Sequence, residues 1–144
     1  MKKKLVIVPI VIFVIAMVFI GSQSNPSDQK NKVIFHVTLA DPDLYKNGIY
    51  SDTFSVEKGE YSFRFVPNGD SPRDLTISLL GDEFEFSENF VLNGTRHETG
   101  ISEYYTWDYD GQKLIHIPNQ KEISIKINPN GNVRGSVSVD ILKN

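Results

Sequence analysis

The chain has no cysteine. Disulfides, thiolate metal centres, cysteine nucleophiles, the Cys-ligated blue-copper site and a lipidated amino terminus of the bacterial lipoprotein kind are all excluded. Helical patterning is also missing, since no stretch after residue 32 repeats its apolar side chains every 3.6 residues. Motifs for nucleophilic or phosphoryl chemistry are lacking: there is no Gly-x-Ser-x-Gly elbow, and no Gly-Lys-Ser/Thr follows Asn68-Gly69-Asp70-Ser71-Pro72. Glu83 and Glu85 share a face as a glycosidase pair would, but alternation with Phe84 and Phe86 already explains them as a solvated strand face. The chain reads as a non-enzyme that needs no cofactor. Basic charge is scarce too. The formal net charge is −3, and Lys2–Lys4 supply three positive charges, which leaves −6 on everything after Gly21. A nucleic-acid partner would require clustered Lys and Arg, so none is expected.

What is present begins with Lys2-Lys3-Lys4 and an apolar run from Leu5 to Ile20, broken only by Pro9. Segment 1–21 is a signal peptide or an amino-terminal membrane anchor. Leu5 to Gly21 meets the lower length limit of about 17 residues for a spanning helix. Ser22-Gln23-Ser24 offers a small-x-small cleavage site. Either way the lysines stay cytoplasmic and the rest is delivered outside, so the domain is extracytoplasmic, membrane-bound through residues 5–21 if the segment is uncleaved. Residues 22–32 (SQSNPSDQKNK) read as a flexible polar tether.

Residues 33–144 alternate with period two. Val33/Phe35/Val37/Leu39, Tyr61/Phe63/Phe65, Leu75/Ile77/Leu79, Phe84/Phe86 and Ile123/Ile125/Ile127 each make one apolar face, and Val133, Gly135, Val137, Val139 and Ile141 make another. Shorter strands are expected at Ile49–Val56, Phe90–Leu92, Ile101–Tyr109 and Leu114–Ile117. Turn residues separate the runs: Lys46-Asn47-Gly48, Glu57-Lys58-Gly59, Asn93-Gly94, Asp110-Gly111 and Asn128-Pro129-Asn130-Gly131. Asn128–Asn132, between two clean alternating runs, predicts a hairpin. The expected fold is all-β: one antiparallel two-sheet β-sandwich of about eight or nine strands, jelly-roll or immunoglobulin-like, with half-buried strands.

Chemistry concentrates in Tyr104-Tyr105-Thr106-Trp107-Asp108-Tyr109-Asp110-Gly111, with the only tryptophan and three of the six tyrosines. Flat rings beside carboxylates suit a sugar or a peptide. Tyr104 and Tyr109 are the candidate stacking residues, and Asp108 and Asp110 the candidate acceptors or cation ligands. Trp107, in line with Ile101, reads as core. Asp41-Pro42-Asp43 and Asp108-x-Asp110-Gly111 invite a calcium reading, but without the full loop pattern they read as turns. His36, His97 and His116 lack the spacing of a metal pair; His36 and His116 are expected in strands and His97 in a loop. Asn93-Gly94-Thr95 is a glycosylation sequon and equally a plain Asn-Gly turn.

Val56–Leu80 (VEKGEYSFRFVPNGDSPRDLTISLL) with Lys121–Leu142 (KEISIKINPNGNVRGSVSVDIL) resembles GOLD-type (p24/emp24-like) β-sandwich domains through its Gly59-x-Tyr61-x-Phe63 strand, polar turn and second alternating strand. Other jelly-roll accessory domains match as well. The resemblance implies a luminal or extracellular protein-binding domain without catalysis. The chain departs from the p24 pattern: it has no cysteine pair, no coiled-coil segment and no membrane helix before Ile141-Leu142-Lys143-Asn144. The expectation is a non-enzymatic exported or membrane-tethered sandwich that binds protein or cell-envelope components. The alternatives are a small carbohydrate-binding module centred on Tyr104–Asp110 and a calcium- or copper-handling envelope protein.

Overall fold

The structure, a computed structural model, describes residues 31–144. The proposed signal or anchor and most of the tether lie outside the described residues. Nine strands follow one another: β1 (Lys32–Leu39), β2 (Tyr50–Val56), β3 (Gly59–Pro67), β4 (Asp74–Gly81), β5 (Phe84–Glu98), β6 (Glu103–Asp110), β7 (Leu114–Ile117), β8 (Lys121–Asn128) and β9 (Val137–Lys143). One sheet has the order β1-β9-β3-β7 and the other β2-β8-β4-β5-β6, with every pairing antiparallel. No helix among the described residues is long and apolar enough to cross a membrane.

The two apolar faces meet in one core, as the alternation predicts. Phe63 and Phe65 of β3 lie against Phe90 of β5, with ring centroids 5.4 and 4.9 Å away, and Phe63 also stacks on Phe86 at 5.7 Å. Phe35 of β1 meets Phe54 of β2 at 5.1 Å. The Gly59-x-Tyr61-x-Phe63 strand is β3, inside the four-stranded sheet, with Tyr61 and Phe63 buried.

Several local expectations change. Asn128–Asn132 does not close a hairpin, because β8 and β9 belong to different sheets. Alternation is identical whether two strands pair or face each other across a core, so the sequence signal was silent on the layer. Asn130 (φ 51°) pins the crossing to β4, its side-chain amide donating to Asp74 O at 3.0 Å and Thr76 Oγ1 at 3.2 Å. Val133–Gly135 belongs to this crossing rather than to β9, with Gly135 N–H donating to Asn132 Oδ1 at 2.9 Å. Glu83 (φ 52°) sits in the tight β4–β5 turn, so it shares no strand face with Glu85. Asn93-Gly94 is not a turn; it lies within β5, and His97 is in that strand rather than in a loop. Lys32, assigned to the tether, is the first residue of β1 and pairs with Lys143.

At each free edge of the five-stranded sheet an aspartate accepts the next backbone N–H. Asp52 Oδ1 takes that of Thr53 on β2, and Asp108 Oδ1 that of Tyr109 on β6, both at 2.8 Å.

Candidate functional site

The register shows where β5 leaves the sandwich. Its pairing with β4 ends at Asp74↔Val91, but its pairing with β6 continues through Asn93↔Asp108 to Glu98↔Glu103. From Asn93 onward the hairpin is a two-stranded arm with exposed residues on both faces. The arm leaves the end of the sandwich marked by Leu39, Asp74 and Asn128, opposite the end at Lys32. Thr99 N–H donates to Ser102 O at 3.0 Å to close the tip, where Ile101 is 98% exposed. Ile101 is therefore outside β6 and not aligned with a core face.

Alternation distributes the aromatic segment. Tyr109 is fully buried against Phe65 (centroids 5.1 Å), and its hydroxyl donates to Pro72 O at 2.5 Å. Burial pushes that hydroxyl's pKa far up. Tyr109 is thus a core residue and offers no face to a ligand, a correction to its candidacy. Tyr104 is 51% exposed on the outer face of the arm. Its ring stacks on His97 at 4.8 Å and 15°, and His97 Nε2 lies 2.9 Å from Thr106 Oγ1.

The other arm face carries Tyr105 and Trp107, stacked at 5.9 Å, with Arg96 bonded to both Glu98 and Glu103. Trp107 is half-buried, neither core nor platform: its indole covers Gly94, directly across the ladder. A Cβ at Gly94 would lie 2.7 Å from Trp107 Cζ3, so the indole in this position needs glycine there. The Asn-Gly pair is a seat for a tryptophan.

Asp108 and Asp110 do not converge. Asp108 takes the Lys113 ammonium at 2.8 and 2.9 Å, and Asp110 accepts from the Asn93 side-chain amide. Asn93, the sequon residue, is exposed on the same outer face. Asp41 caps the 3-10 turn Pro42–Leu44 by accepting the Asp43 N–H at 2.9 Å. Among the described residues no group of three His, Asp or Glu side chains is placed to hold a metal ion.

The sequence reading missed a cluster on the outer face of the four-stranded sheet. Asp140 of β9, only 2% exposed, lies between His36 of β1 and Arg64 of β3. His36 Nδ1 is 2.5 Å from Oδ1, while Arg64 Nε and Nη2 reach Oδ2 at 2.9 and 2.8 Å. Burial pushes the carboxyl's pKa up, but the bonds from His36 and Arg64 outweigh it and hold the group below its ordinary value. Thr38 Oγ1 lies 3.4 Å from His36 Nε2, which completes an Asp-His-hydroxyl line. That line runs across an open sheet face and serves here as cross-strand structure. Only its alternating position could have flagged Asp140: it is the one acid on β9.

No protein-family model matches the chain, and neither a curated protein nor a solved structure does.

Proposed function

We propose that the chain is a non-enzymatic extracytoplasmic binding domain, exported or membrane-tethered by residues 1–21, which recognises protein or cell-envelope material through its β5–β6 arm. The observation that carries this reading is the arm itself. An isolated two-stranded ribbon is marginally stable in water, yet this one runs beyond the core and ends on Ile101, 98% exposed, with half-exposed Tyr104 and Tyr105 behind it. Exposed apolar and aromatic side chains on a rigidly rooted element suit recognition. The fold is read as a jelly roll: β1-β9-β3-β7 and β2-β8-β4-β5 interleave as two Greek keys, and β6 is an added strand outside β5. A GOLD-like accessory domain fits the same reading.

The test is a screen of the full chain against glycans and envelope extract. Ile101→Ser/Tyr104→Ala/Tyr105→Ala should remove binding, with each tyrosine costing about 1–3 kcal/mol if it is a hot spot. Undiminished binding by the triple variant would move the site, and hydrolysis of any screened compound would overturn the non-enzyme reading. Arg134→Cys, exposed in a chain without native cysteine, should react with an impermeant maleimide on intact cells. Reaction only after lysis would refute the orientation.

A second reading, a carbohydrate-binding module, is supported by the His97–Tyr104 stack, which holds one tyrosine ring rigid beside the Thr106 and Thr95 hydroxyls. Protease treatment of the extract separates the two: binding that survives it favours sugar.

A further inference from the structure

At the end of the sandwich opposite the arm, the two sheets part around a concavity of about 360 Å³. Its lining is mixed, with Ile34, Val56 and the buried ring of Tyr61 beside Ser55 and Glu57. Its rim carries the ammonium groups of Lys32 and Lys143. Tyr61 Oη donates to Glu57 O at 2.9 Å and fixes the β2–β3 turn, which places the Glu57 carboxylate against Lys143. Lys143 is thereby neutralised, and Lys32 has no ion-pair partner among the described residues. The rim keeps one net positive charge on a domain that is otherwise acidic. Asp82 and Glu83, the acids of the β4–β5 turn, stand two strands away from β2 in the same sheet.

We infer that this concavity takes the anionic headgroup of a lipid in the membrane that anchors the chain, with the phosphate at the Lys32 ammonium and the glycerol and first methylenes over Ile34. The inference rests on the anchor reading of residues 5–21. Chain length supplies the supporting argument. Lys32, on the rim, is separated from Gly21 by residues 22–31 alone. Whatever path they take, these ten residues span at most about 36 Å. The rim is therefore the part of the domain tethered closest to the bilayer, within reach of any anionic lipid in the leaflet it faces.

The experiment uses the full chain in vesicles of phosphatidylcholine with or without phosphatidylglycerol. An environment-sensitive fluorophore is placed on Ser55→Cys, exposed at the concavity, and for reference on Arg134→Cys at the arm end. Flotation with pure phosphatidylcholine vesicles reads the anchor separately. The expected result is a response to phosphatidylglycerol at residue 55 and none at residue 134. Lys32→Gln should weaken it about fivefold. If the chain fails to float, the anchor reading falls, and titration with soluble dihexanoyl-phosphatidylglycerol then decides the concavity alone. Equal signals with and without phosphatidylglycerol, or an undiminished response in Lys32→Gln, would overturn the inference. So would a signal in neutral vesicles as large as in anionic ones, the result expected if the chain's own tether fills the concavity.

Discussion

Replacing Arg64 by alanine takes one charge-assisted hydrogen bond and an ion-pair contact from a carboxylate that has almost no contact with water. Asp140 is 2% exposed, and its Oδ2 has Arg64 Nε and Nη2 as partners, while Oδ1 has only His36. Stranding a fully buried charge costs about 3–5 kcal/mol, whereas an exposed pair contributes about 0–1. The guanidinium is 54% exposed, so solvent enters the space left by the deleted side chain. The expected loss for Arg64→Ala is thus intermediate, about 1–2 kcal/mol. A double-mutant cycle with Asp140→Ala, read by urea denaturation, should return a coupling energy of that order near neutral pH. The sign with pH follows from the depressed carboxyl pKa. The stabilisation is complete above the unfolded-state value of about 4 and is lost as the pH falls through the lower folded-state value. Coupling should therefore shrink in strong acid. A coupling below about 0.3 kcal/mol at neutral pH, or one indifferent to acid, would refute the buried triad and return Arg64 to an ordinary solvent-facing position, whose truncation costs within about 0.5 kcal/mol.

Phe63→Ala, which empties a site ringed by Phe65, Phe86 and Phe90, should cost about 3–5 kcal/mol by chemical denaturation, while Ile101→Ser at the exposed tip should stay within about 0.5. Comparable costs would invalidate the assignment of core and arm. Gly94→Val should displace the Trp107 indole, cost about 1–3 kcal/mol and shift the emission of the chain's only tryptophan. An unchanged spectrum would show that the indole does not lie over Gly94.

The alternation of Phe35, Tyr61, Phe63, Leu75, Ile77, Ile123 and Ile125 made the strands and their buried faces legible, because a period of two follows from backbone geometry alone. Which strands pair was not legible. β8 and β9 are consecutive and both well patterned, yet they lie in opposite layers, a choice made by packing over the whole core. Tyr104 and Tyr109 are five positions apart and so fall on opposite faces, but assigning the wet face required knowing that β5 and β6 outrun the core. The His36–Asp140 contact joins residues 104 positions apart, beyond any local pattern. Asn93-Gly94 misled because glycine has two uses, positive φ and close approach, and the sequence does not say which applies.

The aspartates on the outermost strands of the larger sheet have a consequence for copies crowded at one surface. An unpaired strand edge invites a neighbouring chain to extend the sheet, and two such edges per molecule permit open-ended growth. Asp52 and Asp108 each occupy one of those donors with their own carboxylate. An incoming strand would have to displace that bond before it could pair there. Molecules gathered at high density are thus discouraged from joining their larger sheets edge to edge, and β6 keeps its ribbon for other contacts.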